Sequence, residues 1–147
     1  MTLTEQLMRH EGLRLQVYDD ATGDMILPGS TVRGIPTIGY GRNLLVGLSE
    51  EEARLLLEND INRVRRQLTL ALPWIDSLSE IRQRVLIDMG FNLGIAGLLK
   101  FKATLAAIQS SEYAQAADQM RKSKWAKQVK GRAERLARMM ERDTECD

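Results

Sequence analysis

Glu11 is the residue whose type and position most directly suggest chemistry. It stands at the predicted end of an N-terminal helix, immediately before Gly12. The negative end of a helix dipole disfavours a second negative charge, so a carboxyl group at this position tends to keep its proton. A carboxyl that stays protonated near neutral pH is suited to act as a general acid. By position alone, however, an exposed helix-end glutamate with no catalytic role is the commoner explanation.

Three aspartates follow Glu11 in a turn-rich stretch, namely Asp19, Asp20 and Asp24. A glycosidase uses two carboxyl groups, one to protonate the leaving oxygen and one to activate water or attack the sugar. Aspartates are also common in turns, because their side chains accept hydrogen bonds from backbone N–H groups. Spacing alone therefore leaves all three open as the partner of Glu11.

Thr37 lies within a glycine-rich stretch, which reads GIPTIGYG from Gly34 to Gly41. Alternating glycines let the backbone turn tightly and approach a ligand closely. A threonine hydroxyl at such a point is placed to orient a water molecule. The pattern is not a dinucleotide-binding fingerprint, because no G-x-G-x-x-G motif opens a helix here.

The elements that position these residues are predicted from caps and periodicity. Capping boxes at Thr2–Glu5 and Ser49–Glu52 start a first helix ending near Glu11 and a second helix over about 50–69. The glycines and prolines of 19–41 predict a short antiparallel sheet of two or three strands. Four further helices are predicted around 81–89, 101–108, 113–120 and 133–140, with breaks at Gly94, Gly97, Ser110–Ser111 and Gly131.

These elements predict an α+β fold that is mostly helical. We expect a small N-terminal lobe with the sheet over about 12–60 and a helical lobe formed by about 1–11 and 61–147. The helix over 50–69 would connect the two lobes, with the cleft between them as the default site. The whole chain of 147 residues then forms one domain, which we expect to be monomeric.

Cofactor and membrane chemistry are disfavoured by composition. The chain has one cysteine, Cys146, and one histidine, His10, so an intrachain disulfide is impossible and a Cys- or His-based metal site is not expected. We therefore expect no metal and no cofactor. We also expect no signal peptide and no transmembrane segment, because no apolar run is long enough, and hence accumulation in the cytoplasm.

Positive charge is concentrated near the C-terminus. Residues 121–142 carry nine Lys/Arg against two Glu, a net +7, although the whole chain is only +1. Such a face suits a polyanionic partner, such as an anionic cell-envelope polymer or nucleic acid. A solvated helix face explains it equally well. A nucleic-acid-binding module would leave Glu11, Asp20 and Thr37 unexplained, so we expect no specific nucleic acid as partner.

Taken in order, the motifs resemble those of the phage-type lysozyme (endolysin) family. The resemblance is carried by stretches spread over most of the chain: EGLRL at 11–15, Tyr18-x-Asp20, TIGYG at 37–41, RVLIDMGFNLG at 84–94, SKW at 123–125 and GRAER at 131–135. Matches in the same order over most of a chain are more specific than any single motif. The resemblance implies a lysozyme-like fold and a muramidase that cuts bacterial peptidoglycan.

The resemblance also implies roles for particular residues. Glu11 would be the general acid, Asp20 the second carboxylate and Thr37 the residue that holds the attacking water. Eight residues separate Glu11 from Asp20, as in the family, which favours Asp20 over its neighbours. Arg132 matches an arginine that approaches the catalytic glutamate across the cleft, and the remaining matches to the family's glycan-binding positions are Phe91, Thr104 and Gln119.

Two departures from the family pattern stand out. Sixteen residues separate Asp20 from Thr37, more than in compact members, so the stretch over about 24–34 is expected to lengthen a hairpin at the edge of the cleft. Arg42 stands where the family commonly has histidine.

Family members without an export signal wait in the host cytoplasm and reach the periplasmic wall after a holin-type release, which is the setting expected here. An inactive or tail-associated member is disfavoured by the intact motif and by the lack of an added domain.

Overall fold

The computed structural model describes residues 1–145, so Cys146 lies outside the described residues. The chain divides into two compact units, one formed by residues 1–54 and the other beginning at Leu55. The elements are mostly helices, with one small antiparallel sheet. This confirms the predicted α+β, mostly helical fold class of lysozyme-like type.

The first unit begins with α1, Leu3–Glu11, and its start is the predicted capping box. The Thr2 hydroxyl accepts the Glu5 N–H at 3.2 Å, and the Glu5 carboxylate accepts the Thr2 N–H at 2.7 Å. Gly12 ends the helix with φ 71° and ψ 155°, and its N–H still donates to the Met8 carbonyl. Because ψ is extended, the chain leaves the helix directly into a strand, and Glu11 becomes the last residue of the helix.

The sheet of the first unit has three antiparallel strands in the order β1-β2-β3: Arg14–Asp19, Pro36–Gly39 and Arg42–Asn43. In β1 and β2, Tyr18 lies opposite Thr37 and Asp19 opposite Pro36. The stretch between Asp20 and Ile35 is therefore the connection of a hairpin, as its turn residues predict. An isolated bridge between Tyr18 and Met25 shows that the connection folds back onto β1.

The helix α2, Glu50–Ala71, runs from the first unit into the second. It starts with the predicted second capping box, in which Ser49 accepts the Glu52 N–H and Glu52 accepts the Ser49 N–H. A short 3₁₀ segment at Pro73–Ser77 follows it. The remaining helices belong to the second unit: α3 Glu80–Leu99, α4 Lys102–Gln109, α5 Tyr113–Lys122, α6 Lys124–Val129 and α7 Gly131–Arg142.

Two details of the helical part differ from prediction. Breaks are predicted at Gly94 and Gly97, and the first is confirmed: at Gly94 the backbone leaves the helical conformation, with φ 74° and ψ 161°, so two helical segments meet at a kink within α3. No break occurs at Gly97, and α3 ends at Leu99. The short helix α6 was not predicted, because six residues are too few to show a periodic apolar pattern. Its start is set by Ser123, whose hydroxyl accepts the Ala126 N–H.

The hydrophobic core lies entirely in the second unit, between Val64 and Met140. Leu68, Leu86, Met89 and Met120 are fully buried there, and α5 and α7 pack closely against each other. Gly90 allows close packing against α2, because a Cβ at this position would lie 3.0 Å from Val64 Cγ1. In the part of the chain that is described, no individual helix combines the length and apolar character needed to cross a bilayer.

The core contribution of α2 is testable with two leucines on the same helix. Leu68 is fully buried, whereas Leu70 is 84% exposed. Removing buried methyl groups loses transfer free energy and leaves a cavity, so Leu68→Ala is expected to lower the free energy of unfolding by about 2–5 kcal/mol. The matched control Leu70→Ala is expected to change it by less than about 0.5 kcal/mol. Urea unfolding measures both, and equal effects would contradict this assignment of the core.

Candidate active site

Glu11 is positioned by the end of α1 and by a glycine of the β2–β3 turn. Gly41 has φ +73°, and a Cβ built on it would lie 2.7 Å from Oε2 of Glu11. A side chain at position 41 would therefore collide with the Glu11 carboxylate. The absence of a side chain at Gly41 allows the carboxylate of an exposed residue to lie against the backbone of the sheet.

Asp20 is held at the start of the hairpin connection by reciprocal bonds to Ile35. Its backbone N–H donates to the Ile35 carbonyl at 3.2 Å, and its Oδ1 accepts the Ile35 N–H at 2.7 Å. Gly34 makes room for this arrangement, because any Cβ there would collide with Asp20 Oδ1 and with Ala21. The side chain is exposed, and its second oxygen accepts no hydrogen bond from the described residues.

Thr37 shares the same anchor. It is 5% exposed, and its hydroxyl donates to the Ile35 carbonyl at 2.9 Å. Since the hydroxyl proton is used in this bond, only the lone pairs of Oγ1 remain for another partner. Asp20 and Thr37 are thus brought together through one residue, Ile35, across the long connection.

Asp19 differs sharply from Asp20 in its surroundings. It is 3% exposed, and its carboxylate accepts three backbone N–H groups: from Arg33 at 2.7 Å, and from Ala21 and Gly34 at 2.9 Å each. These hydrogen bonds, that from Arg33 above all, lower the pKa of Asp19, against the opposing effect of desolvation. Because both carboxylate oxygens accept hydrogen bonds from the backbone, the surroundings of Asp19 fit a structural role.

Asp24 is the third aspartate of the turn. Its side chain is exposed, and it is the backbone carbonyl that takes part in the turn, accepting the Asp19 N–H at 2.9 Å. Of the three aspartates, Asp20 alone therefore combines an exposed side chain with a hydrogen bond that orients its carboxylate. This is the residue that the family spacing selects.

Arg42 begins β3 and faces the start of α2. Its guanidinium lies 2.5 Å from the Glu52 carboxylate. This hydrogen bond, together with those from Ser49, lowers the pKa of Glu52 to about 2. The same Glu52 carboxylate caps α2 by accepting the Ser49 N–H. Arg42 therefore ties the sheet to the start of the long helix within the first unit.

The predicted glycan-binding residues lie in the second unit, in two separate places. Thr104 and Gln119 line one cavity of about 320 Å³, together with Lys100, Lys102 and Lys122. Phe91 and Arg132 line another, of about 350 Å³. Arg132 is paired there with Asp88, at 2.6 Å from Nη2 and 2.8 Å from Nε.

The basic segment 121–142 is partly neutralised by its own neighbours. Arg121 pairs with Glu134 and Glu141, and four of the nine cations in all are held in ion pairs: Arg121, Lys122, Arg132 and Arg138. The other five are exposed and make no ion pair with any residue up to 145: Lys124, Lys127, Lys130, Arg135 and Arg142. The charge available to a partner is therefore smaller than the sequence count of +7.

Two positioning residues are not predictable from residue type. Gly41 and Ile35 act through a bare Cα and a peptide group, and neither carries a reactive side chain. The dense glycines of the 34–41 stretch indicate that the backbone approaches another group closely. They do not indicate which glycine lies against which carboxylate. Across residues 1–145, no cluster of three or more His, Cys, Asp or Glu is placed to bind a metal ion.

Comparison with known proteins gives consistent matches. Residues 8–145 match the family model described as phage lysozyme. The pre-baseplate central spike protein Gp5 of Enterobacteria phage T4 is 30% identical over 92% of this chain. Probable T4-type lysozymes 1 and 2 of Dictyostelium discoideum are 29% and 25% identical over 66% and 97% of it. The chain spans 27% of the spike protein and 59% and 95% of the two lysozymes. These matches confirm the family resemblance that the motifs predicted.

Proposed function

Because the chain belongs to the phage lysozyme family, we propose that it hydrolyses the β-1,4 bond between N-acetylmuramic acid and N-acetylglucosamine and thereby lyses the bacterial cell. The observation that carries the proposal is the arrangement of two exposed carboxylates, those of Glu11 and Asp20, each lying against a glycine. Most glycoside hydrolases use a pair of carboxyl groups in this way, one as the proton donor and the other to activate water or to attack the sugar.

In this proposal Glu11 is the general acid. It donates its proton to the bridging oxygen as the glycosidic bond breaks, which avoids expulsion of an alkoxide. Gly41 allows the carboxyl group to lie close to the backbone and remain open to a substrate.

Asp20 and Thr37 act on the opposite side of the reacting sugar. The free oxygen of Asp20 accepts a proton from water and stabilises the positive charge of the oxocarbenium-like transition state. Thr37 has only lone pairs to offer, so it accepts the water's second hydrogen and directs the water's own lone pair toward the sugar. Attack by a water held in this way inverts the configuration at the anomeric carbon.

Removal of the proton donor tests the mechanism. Glu11→Gln keeps the size of the side chain but carries no acidic proton, so kcat is expected to fall by about 10²- to 10⁴-fold. The control Glu51→Gln alters an exposed glutamate of α2 and is expected to leave kcat unchanged. Turbidity loss of purified peptidoglycan measures both, and undiminished lysis by Glu11→Gln would refute the role of Glu11.

The contact between Gly41 and Glu11 can be separated from backbone strain by two matched variants. Gly39 and Gly41 have nearly the same φ, +71° and +73°, but only at Gly41 would a Cβ meet the Glu11 carboxylate. Both alanine variants are expected to lose stability through the positive φ. Only Gly41→Ala is expected to lose most of its kcat, by about 100-fold, because it displaces the acid. Equal kcat values at matched folded fractions would contradict this.

The exposed cations of the segment 121–142 are proposed to contact anionic cell-envelope polymers. The five cations that make no ion pair within residues 1–145 provide a long-range attraction that increases the rate of encounter and is screened by salt. The residues Phe91, Thr104, Gln119 and Arg132 are proposed as glycan contacts on the basis of family position.

The charge proposal predicts a salt-dependent rate. Lys127→Glu/Arg135→Glu is expected to slow hydrolysis of intact cell walls several-fold at low ionic strength and to match the wild type in high salt. The control Arg63→Glu/Arg66→Glu makes the same change of net charge on α2. If both double variants show the same loss, the location of the charge has no role and the proposal fails.

A second biological setting is favoured by one comparison. The relative with 30% identity is a central spike protein of phage T4, so the same hydrolytic site also suits the wall-degrading part of a virion. Both settings need Glu11. Detection of the chain in purified virions would favour the spike, and its presence only in infected cells would favour lysis at the end of infection.

A further inference from the structure

The long connection between β1 and β2 begins and ends at the proposed site. Asp20 is the first residue after β1 and Ile35 the last residue before β2, and these two residues are joined by two hydrogen bonds. Fourteen residues, 21–34, lie between them. Because a loop of this length has large conformational freedom, some interaction must hold its returning end against its start.

The carboxylate of Asp19 makes that connection. One oxygen, Oδ1, accepts the N–H of Ala21 at the start of the loop and the N–H of Gly34 at its end, each at 2.9 Å. The other oxygen, Oδ2, accepts the Arg33 N–H at 2.7 Å. Hydrogen bonds from N–H groups to an ionised carboxylate are stronger than neutral ones, and this carboxylate is buried.

The returning end places the next residue of the chain. Gly34 is followed by Ile35, whose N–H binds Asp20 Oδ1 and whose carbonyl accepts both the Asp20 N–H and the Thr37 hydroxyl. Gly34 itself fits only because it has no Cβ next to Asp20. The position of Ile35, and with it the orientation of two site residues, therefore depends on the Asp19 contacts one and two residues earlier.

We propose that Asp19 is a positioning residue for hydrolysis, which fixes the Asp20 carboxylate and the Thr37 hydroxyl through the returning end of the loop, residues 33–35. Asp19 does not touch the substrate in this proposal. The inference rests on the proposed function for its effect on rate, but its structural part, control of the Ile35 hydrogen bond, does not.

A double-mutant cycle tests the effect on rate. Asp19→Asn is isosteric but turns one acceptor oxygen into a donor, so at least one backbone N–H loses its partner. We expect kcat to fall by about 10- to 100-fold with KM unchanged, because reacting groups are displaced while glycan contacts are not. Asp24→Asn is the matched control in the same loop and is expected to keep the wild-type kcat.

The cycle is completed in the Asp20→Asn background. If Asp19 acts through Asp20, adding Asp19→Asn to Asp20→Asn is expected to cause little further loss, whereas independent effects multiply. A folded Asp19→Asn protein with wild-type kcat, or two losses that multiply, would overturn the proposal. Asp19→Glu keeps both acceptor oxygens and is expected to recover part of the lost kcat. It also replaces Asp19→Asn in the cycle if that variant does not fold.

Amide hydrogen exchange supplies a readout that needs no catalysis. In Asp19→Asn the N–H of Ile35 is expected to exchange at least about 10-fold faster, along with those of Arg33 and Gly34, while Asp24→Asn leaves all three unchanged. An unchanged Ile35 rate would overturn the proposal. If the wild type hydrolyses no peptidoglycan but Ile35 responds as expected, the proposed function fails and the structural part of the inference stands.

Discussion

The first unit depends on one buried carboxylate. Within residues 1–54, all of which are described, only Asp19 and Thr37 are buried, and both are polar. A charge removed from water is costly unless hydrogen bonds replace its hydration, and Asp19 receives three from the backbone. The second unit relies on apolar burial, whereas the first is organised around the Asp19 carboxylate. The loop over 21–34 has a defined path because its backbone N–H groups must reach this carboxylate.

Two glycines next to the strands of the small sheet provide space for the two proposed reactive carboxylates, because glycine has no side chain. Gly34 and Gly41 each lie where a Cβ would collide with a carboxylate oxygen. At Gly41 the backbone also has positive φ, so glycine is favoured there for two independent reasons. Asp20 and Glu11 can therefore lie against the peptide backbone while remaining exposed.

The second unit is built by different physics. Its core is formed mainly by aliphatic and methionine side chains from α2 to α7, and several of its charged side chains are held in ion pairs, such as Arg132 with Asp88 and Arg121 with Glu134. This pairing reduces the positive charge that remains open to a partner. The sequence total of residues 121–142 overstates the accessible charge, because sequence does not reveal which cations are already paired.

The sequence by itself determined the class of fold, the two capping boxes, the first helix and a short antiparallel sheet of two or three strands, because these follow from local caps, turns and periodicity. It also determined the family, because several motifs occur in the right order. What the tertiary structure decided is which aspartate is buried and which is exposed. Asp19 and Asp20 are adjacent and chemically identical, and contacts with residues 33–35, more than a dozen positions away, distinguish them. Such long-range hydrogen bonds leave no periodic trace in a sequence.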